Sequence, residues 1–189
     1  AYHAGQIPIY YNHPGNSCWH QSGSIGFADY VDLPHTPRYV FGYGLSYTRF
    51  AYDDLQISPK SAAPFGKVTI SCLVTNTGER SGDEVVQLYL KDMQASMIRP
   101  VKELAGFARI SLLPGETKRI AFSVEMSQLA FLDRNMEWKI EKGRIEVEIG
   151  SSSEDIRLKG AFDIAESAVI EGRDRGFFAK TQVVTENTI

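Results

Sequence analysis

Residues 143–150 read Gly-Arg-Ile-Glu-Val-Glu-Ile-Gly, and this stretch decides the fold class. Apolar and charged residues alternate between two glycines, which is the period-two pattern of a β-strand with one buried face. The pattern predicts that Ile145, Val147 and Ile149 point into a core. It also predicts that the charged residues between them face water, namely Arg144, Glu146 and Glu148.

The same kind of strand recurs along most of the chain. Alternating or strand-forming runs occupy residues 68–74, 84–91, 101–110, 120–126 and 155–164. Pro114-Gly115 is a type II turn pair, and the only helical candidate is a single turn at Ser127 to Phe131. About seven short strands without a long helical period predict an all-β fold, an Ig-like antiparallel β-sandwich.

The first 52 residues have a different composition from the rest. They hold eight of the nine tyrosines and all four histidines, and prolines interrupt them repeatedly. We therefore expect an extended linker over 1–52, with a loop at about 14–28, followed by the sandwich over 53–164 and a C-terminal tail over 165–189. The apolar run Phe177-Phe178-Ala179 in the tail leaves two alternatives open, an edge strand or packing on another domain.

The end of the linker is rich in aromatic residues and glycine. Residues 39–50 read Tyr-Val-Phe-Gly-Tyr-Gly-Leu-Ser-Tyr-Thr-Arg-Phe. The glycines let the backbone turn sharply or approach another surface closely, and the aromatic rings supply large areas to bury. We predict interdomain docking by the aromatic and glycine residues of the linker, Tyr10, Tyr11, Tyr39, Phe41, Gly42, Tyr43, Gly44, Tyr47 and Phe50.

The run Phe-Gly-Tyr-Gly-Leu-Ser-Tyr-Thr at 41–48 resembles the segment that precedes the fibronectin type III-like domain of family 3 glycoside hydrolases, the β-glucosidases and β-xylosidases. Further matching segments follow in the family's order, at 5–13, 76–78, 82–89, 99–107 and 113–117. One departure is Pro37-Arg38-Tyr39-Val40-Phe41, where relatives commonly have a second proline before the phenylalanine.

The resemblance implies that this chain is the C-terminal part of a retaining β-glycosidase acting on terminal non-reducing β-D-glucosyl or β-D-xylosyl residues. In the family the nucleophilic aspartate lies on a barrel and the acid/base glutamate usually on a middle α/β domain, neither of which is in this chain. The resemblance therefore implies a non-catalytic accessory domain that stabilises its own catalytic domains and shapes the active-site rim, and a fragment that is inactive alone. Glucoside or xyloside preference and compartment stay open.

No catalytic residue is assigned within the chain. Carboxylate pairs do occur, at Asp29/Asp32, Asp53/Asp54, Asp83/Glu84 and Asp133/Glu137, but each fits a turn, a cap or a solvated face. Trp19 lies in the polar loop and is the best candidate for a substrate-rim residue, because sugars stack on aromatic rings. The alternative, which we favour, is that Trp19 and the nearby tyrosines pack in the interface with the catalytic domains.

Other classes of function are disfavoured. A net charge of -3 without a basic cluster argues against nucleic acid as a partner, and no run approaches the roughly 20 apolar residues of a membrane span. The histidines and Cys18 lack the spacing of a zinc site, so no metal or cofactor is expected, and a Cys18–Cys72 disulfide is not favoured. Two alternatives stay open, a free-standing carbohydrate-binding module and an Ig-like protein-interaction module, and an excised fragment is expected to form a homodimer through exposed linker aromatics.

Overall fold

The computed structural model describes residues 10–13 and 36–185. This part of the chain contains twelve β-strands and two short 3-10 helices. The strands are β1 (Phe50–Ser58), β2 (Ser61–Ala62), β3 (Lys67–Asn76), β4 (Gly82–Asp92), β5 (Glu103–Leu112), β6 (Thr117–Glu125), β7 (Phe131–Leu132), β8 (Trp138–Ile140), β9 (Gly143–Gly150), β10 (Ile156–Ile164), β11 (Ala168–Ile170) and β12 (Lys180–Thr185). The 3-10 helices are Met126–Leu129 and Gly172–Asp174.

Two sheets form the sandwich. The first has the order β1-β3-β6-β12 and the second β2-β10-β9-β4-β5, while β11-β8-β7 makes a small third sheet. All neighbours in the first two sheets are antiparallel except β2 and β10. Seven of the strands have eight residues or more, which confirms the predicted all-β sandwich.

The core lies between the two sheets and is built by the alternation seen in the sequence. On β3, Val68, Ile70, Cys72 and Val74 are fully buried, and the same holds for Ile120, Phe122 and Val124 on β6. Cross-strand pairs such as Ile70 with Phe122 join the two strands. Each fully buried aliphatic side chain stabilises the fold by about 1.5–3 kcal/mol relative to its exposed state, so the core alone explains why these strands pair.

Strand β9 departs from the prediction at one position. Ile145, Val147 and Ile149 are buried as expected, but Glu148, expected to face water, is only 6% exposed. Its carboxylate accepts hydrogen bonds from Lys102 (3.1 Å) and Lys159 (2.6 Å). The period-two pattern assigns side chains to faces, but it does not reveal that the second face of this central strand is also covered.

The local turn predictions agree with the structure. Gly115 has φ +76°, and the Glu116 amide donates to the Leu113 carbonyl at 3.0 Å, as a type II turn at Pro114-Gly115 requires. A 3-10 turn at Met126–Leu129 occupies the place of the single expected helical turn.

The tail contributes an edge strand to the sandwich. Strand β12 pairs antiparallel with β6, from Lys180 opposite Ser123 to Thr185 opposite Lys118. The amide of Ala179 also donates to the Ala105 carbonyl at 2.7 Å, which joins the tail to the second sheet. The phenylalanines before it, Phe177 and Phe178, remain exposed.

Candidate functional site

The candidate site is the surface where the linker lies on the sandwich. Tyr11 stacks on Phe41 with ring centroids 4.2 Å apart, and its ring meets Tyr89 of β4 edge-on at 5.8 Å. The Tyr11 hydroxyl accepts a hydrogen bond from the Leu104 amide at 3.0 Å. The early and late parts of the described linker therefore meet on one face of β4.

This face of β4 is the outer one. Val86, Leu88 and Leu90 belong to the core, whereas the residues between them, Gln87 and Tyr89, are buried outside it. Because side chains alternate along a strand, Gln87 and Tyr89 point away from the core and are covered by the linker. We call these two residues the linker seat.

A tight turn places the linker on the seat. Gly42 has φ +79°, a conformation that favours glycine, and the Tyr43 amide donates to the Val40 carbonyl at 3.1 Å. The Gly42 carbonyl accepts a hydrogen bond from Gln87 Nε2 at 3.2 Å. A Cβ atom on Gly42 would lie 2.1 Å from Gln87 Oε1, so no larger residue fits. By contrast, a Cβ on Gly44 would meet nothing within 4 Å.

A second contact fixes the linker where it enters β1. Asn76, fully buried at the end of β3, accepts hydrogen bonds from Thr48 Oγ1 (2.6 Å) and the Gly78 amide (3.1 Å) on Oδ1. Its Nδ2 donates to the carbonyls of Arg80 (2.7 Å) and Leu112 (3.0 Å). One side chain thereby ties the linker to the loop after β3 and to the end of β5.

Between these two contacts, large side chains point to solvent. Leu45 is 89% exposed and Tyr47 is 93% exposed, and Tyr39 and Tyr43 are also exposed, with ring centroids 5.4 Å apart. We call these four side chains the docking face. Leu45 and Tyr47 border an open groove of about 620 Å³ whose other wall includes Leu113. Apolar side chains on a fixed backbone beside a groove form a surface suited to a protein partner.

The residues predicted for docking thus divide into two sets. Tyr11 and Gly42 contact the linker seat, Phe41 stacks on Tyr11, and Phe50 packs against the core. The second set, Tyr10, Tyr39, Tyr43, Gly44 and Tyr47, is exposed, and Phe41 and Gly42 of the first set are exposed as well. Trp19 lies outside the described residues. Docking against another domain stays a prediction for both sets.

Sequence reasoning did not assign Gln87 or Asn76 to the site. Both lie inside segments that carry the family resemblance, 82–89 and 76–78. A polar amide side chain within a strand of buried residues was the available signal, because a buried amide needs hydrogen-bond partners. The partners themselves are far away in sequence and become visible only in the fold.

The candidate carboxylates have structural roles. Asp83 binds Arg109 at 2.6 Å, and hydrogen bonds from Ser111 and then Arg109 lower the pKa of its carboxyl. Asp54 binds Arg119 at 2.6 Å, and Asp133 accepts amide hydrogen bonds within its own turn. Glu84 accepts a hydrogen bond from Tyr52 at 2.6 Å, and burial raises its pKa despite that bond. Asp29 and Asp32 lie outside the described residues.

Other kinds of site find no support in the described residues. Within ranges 10–13 and 36–185, no group of three His, Cys, Asp or Glu side chains is placed to hold a metal ion. No helix in those ranges is long and apolar enough to cross a membrane. Cys72 is a free, buried thiol whose pKa burial raises to about 12, and Cys18 lies outside the described residues. Tyr89 is buried and Trp138 half-buried, so neither offers an exposed ring for a sugar.

The comparisons with known proteins agree with this architecture. The Fibronectin type III-like domain family matches residues 84–153. The periplasmic β-glucosidase of Salmonella typhimurium is 42% identical over 162 residues, which cover 85% of this chain and 21% of that protein. The β-xylosidase of Formosa agariphila is 39% identical over 155 residues, which cover 82% of this chain and 21% of that protein.

A solved structure shows the same likeness in three dimensions. The β-glucosidase from Listeria innocua in complex with isofagomine matches with a TM-score of 0.75 at 34% identity, over 85% of this chain and 22% of that one. This chain therefore spans about a fifth of the length of the relatives it matches. Its sequence and its fold together place it in the family 3 glycoside hydrolases, as their linker and fibronectin type III-like domain.

Proposed function

We propose that this chain is the non-catalytic accessory region of a longer retaining β-glycosidase that hydrolyses terminal β-D-glucosyl or β-D-xylosyl residues. Relatives named β-glucosidase and β-xylosidase support this assignment. In the proposal, residues 1–52 link the sandwich to a preceding α/β domain, and residues 53–164 brace the catalytic domains. The partner is the catalytic part of the same protein, and the β-linked substrate is bound only there.

The observation that carries the proposal is the docking face. Its segment is held on the sandwich by two hydrogen bonds, from Gln87 to the Gly42 carbonyl and from the Thr48 hydroxyl to Asn76, while Leu45 and Tyr47 are almost fully exposed. Burying such side chains against a partner gains roughly 1.5–3 kcal/mol each, and a fixed backbone loses little further entropy on binding. The sandwich therefore holds this surface in place in the domain alone, and a partner that covers the surface gains free energy of binding there.

The chain alone is expected to be inactive. Among the carboxylates of the candidate pairs, Asp83 is engaged with Arg109, Glu84 with Tyr52 and Asp133 with backbone amides of its own turn. Hydrolysis needs two carboxyl groups flanking a sugar site, one of them free to act as acid. We expect no release of p-nitrophenol from p-nitrophenyl β-D-glucoside or β-D-xyloside by this chain, and release by the longer enzyme.

The docking proposal is tested with Leu45→Ser and Tyr47→Ser, made in both this chain and the longer enzyme. Val184→Ser is the control, because Val184 is also exposed but lies on β12, at the edge of its sheet opposite β1. In this chain alone we expect unchanged thermal midpoints for all three variants. In the longer enzyme, Leu45→Ser and Tyr47→Ser should lower the midpoint and Val184→Ser should not. Equal midpoints for all variants of the longer enzyme would refute docking through this face.

Trp19 is proposed as a residue at the rim of the substrate site in the longer enzyme. An aromatic ring at the rim stacks on the leaving group, so Trp19→Ala should raise KM or change aglycone preference with little effect on the thermal midpoint. Unchanged kinetics on aryl glucosides and on disaccharides would remove Trp19 from this role.

A further inference from the structure

We propose that Gln87 is a positioning residue that sets the docking conformation of the linker before any partner binds. That the conformation serves docking rests on the proposed function, but the positioning by Gln87 concerns this chain alone. It implies that the docking face is preorganised by the sandwich and is not formed by the catalytic domains.

The hydrogen bonds of Gln87 carry the inference. Its Nε2 donates to the carbonyl of Gly42 in the linker, at 3.2 Å, and to the carbonyl of Ser151 after β9. Its Oε1 accepts from the hydroxyl of Tyr89 at 2.6 Å. Both donor hydrogens and the acceptor are thus used, in a side chain that is only 3% exposed. Any other position of the Gly42 turn would leave a buried amide group without one of its partners.

Neighbouring contacts make the same conformation the favoured one. The Ser153 amide donates to the Phe41 carbonyl at 2.9 Å, so the residue before Gly42 is tied directly to the loop after β9. Lys102 holds that loop in turn, because its Nζ donates to the Ser153 carbonyl as well as to Glu148. Gln87 lies at the centre of this arrangement because it is the side chain that reaches the Gly42 turn and Ser151 together.

The geometry also explains why the turn has a single register on the sandwich. A Cβ on Gly42 would lie 2.1 Å from Gln87 Oε1, so only the glycine can sit against the amide. A shift by one residue would bring the side chain of Phe41 or Tyr43 to that place. The close approach of Gly42 to Gln87 and the hydrogen bonds of Gln87 therefore specify the same position of the linker on β4.

The experiment is hydrogen exchange of the whole chain, followed by mass spectrometry with fragments that resolve Tyr43 and Ser153. Gln87→Met keeps the side-chain length and removes the hydrogen bonds. Gln128→Met is the matched control, because Gln128 is also buried and also donates to two carbonyls, of Ala105 (2.7 Å) and Phe177 (3.0 Å), away from the linker.

We expect Gln87→Met to speed exchange at both amides by roughly ten- to a hundredfold, as the loss of one or two hydrogen bonds predicts. Gln128→Met should leave those amides unchanged. The same acceleration in both variants, or none in Gln87→Met, would overturn the proposal. If Gln87→Met fails to fold, Gly42→Ala replaces it, because Gly42→Ala displaces the turn and leaves β4 intact. Gly44→Ala is then the control.

The failure of this proposal and the failure of the proposed function are distinguishable. Exchange in the isolated chain reports on positioning without any partner, whereas the thermal midpoints of the longer enzyme report on docking. Suppose that slow exchange depends on Gln87 but Leu45→Ser and Tyr47→Ser leave the thermal midpoint of the longer enzyme unchanged. The positioning role would then stand, and the proposed docking to the catalytic domains would be refuted.

Discussion

Asn76→Ala is the sharpest test of how the linker is attached to the sandwich. The substitution removes four hydrogen bonds from a fully buried side chain, those to Thr48, Gly78, Arg80 and Leu112. Each contributes about 0.5–1.5 kcal/mol net, and a buried group left without a partner costs about 1–3 kcal/mol.

The four partners do not all lose equally. Arg80 is exposed and Thr48 and Gly78 are half-buried, so water can replace the lost bonds there. Leu112 is buried, and its carbonyl loses a bond that water does not easily replace. We therefore expect Asn76→Ala to lower the free energy of unfolding by about 2–4 kcal/mol.

Urea unfolding of the purified chain, followed by circular dichroism, measures the change. Asn135→Ala is the control, because Asn135 is exposed in a turn and keeps the amide that donates to Asp133; its loss should stay within about 0.5 kcal/mol. Thr48→Val removes only the hydrogen bond between the linker and Asn76 and should lower the free energy of unfolding by about 1 kcal/mol. A loss below about 1 kcal/mol for Asn76→Ala would show that water satisfies all four groups and would refute the reasoning.

Three further predictions follow from single contacts. Gly78→Ala places a Cβ 2.2 Å from Thr48 Oγ1 and should destabilise the chain by about 1–3 kcal/mol in the same urea assay, whereas an alanine at Gly44 should be neutral. The Cys72 thiol should react with a thiol reagent in native protein at pH 8 only as fast as the protein opens, and a fast reaction of this thiol would contradict its burial. Burial raises the pKa of Glu148, but hydrogen bonds from two lysines outweigh it and place the pKa below its ordinary 4.5. The ionised carboxylate therefore adds to the free energy of unfolding above that pH, and this contribution should be lost as pH falls below it. Lys102→Met should make the free energy of unfolding fall less steeply at acid pH, and an unchanged fall would contradict the pairing.

The sequence was sufficient for six of the seven long strands, β3, β4, β5, β6, β9 and β10, and for the core-facing residues of β9. Alternation over 143–150 predicted β9 and its inward residues, because one buried face leaves a periodic trace in residue type. Glu148 shows what this pattern does not predict. A charged residue at an outward position is compatible with water or with two lysines, and the second of these depends on Lys102, which is far away in sequence.

The linker contacts were predictable only in part. The density of glycine and aromatic residues in 39–50 indicated close approach and burial. The close approach occurs at Gly42 and Phe50 packs against the core, whereas the other rings of this segment are exposed. Which rings face the sandwich and which face solvent depends on the position of Tyr89 and Gln87 on β4, and no local pattern carries that information. An edge strand from the run at 177–179 was one of two open alternatives, and the observed edge strand β12 lies directly after that run, at Lys180–Thr185. Hydrogen-bond pairing along a strand edge leaves little trace in such a short polar sequence.

Three of the segments that carry the family resemblance, 76–78, 82–89 and 99–107, share one physical role in this structure. Segment 76–78 holds Thr48, segment 82–89 supplies Gln87 and Tyr89, and the amide of Leu104 in segment 99–107 binds Tyr11. A sandwich core needs only apolar residues of suitable size, so many sequences can build it. A seat for a particular linker needs specific donors, acceptors and glycines at fixed places, so it restricts residue identity much more strongly. The specific residues of this domain therefore serve the attachment of the linker, and the proposed bracing of a neighbouring catalytic domain requires such an attachment.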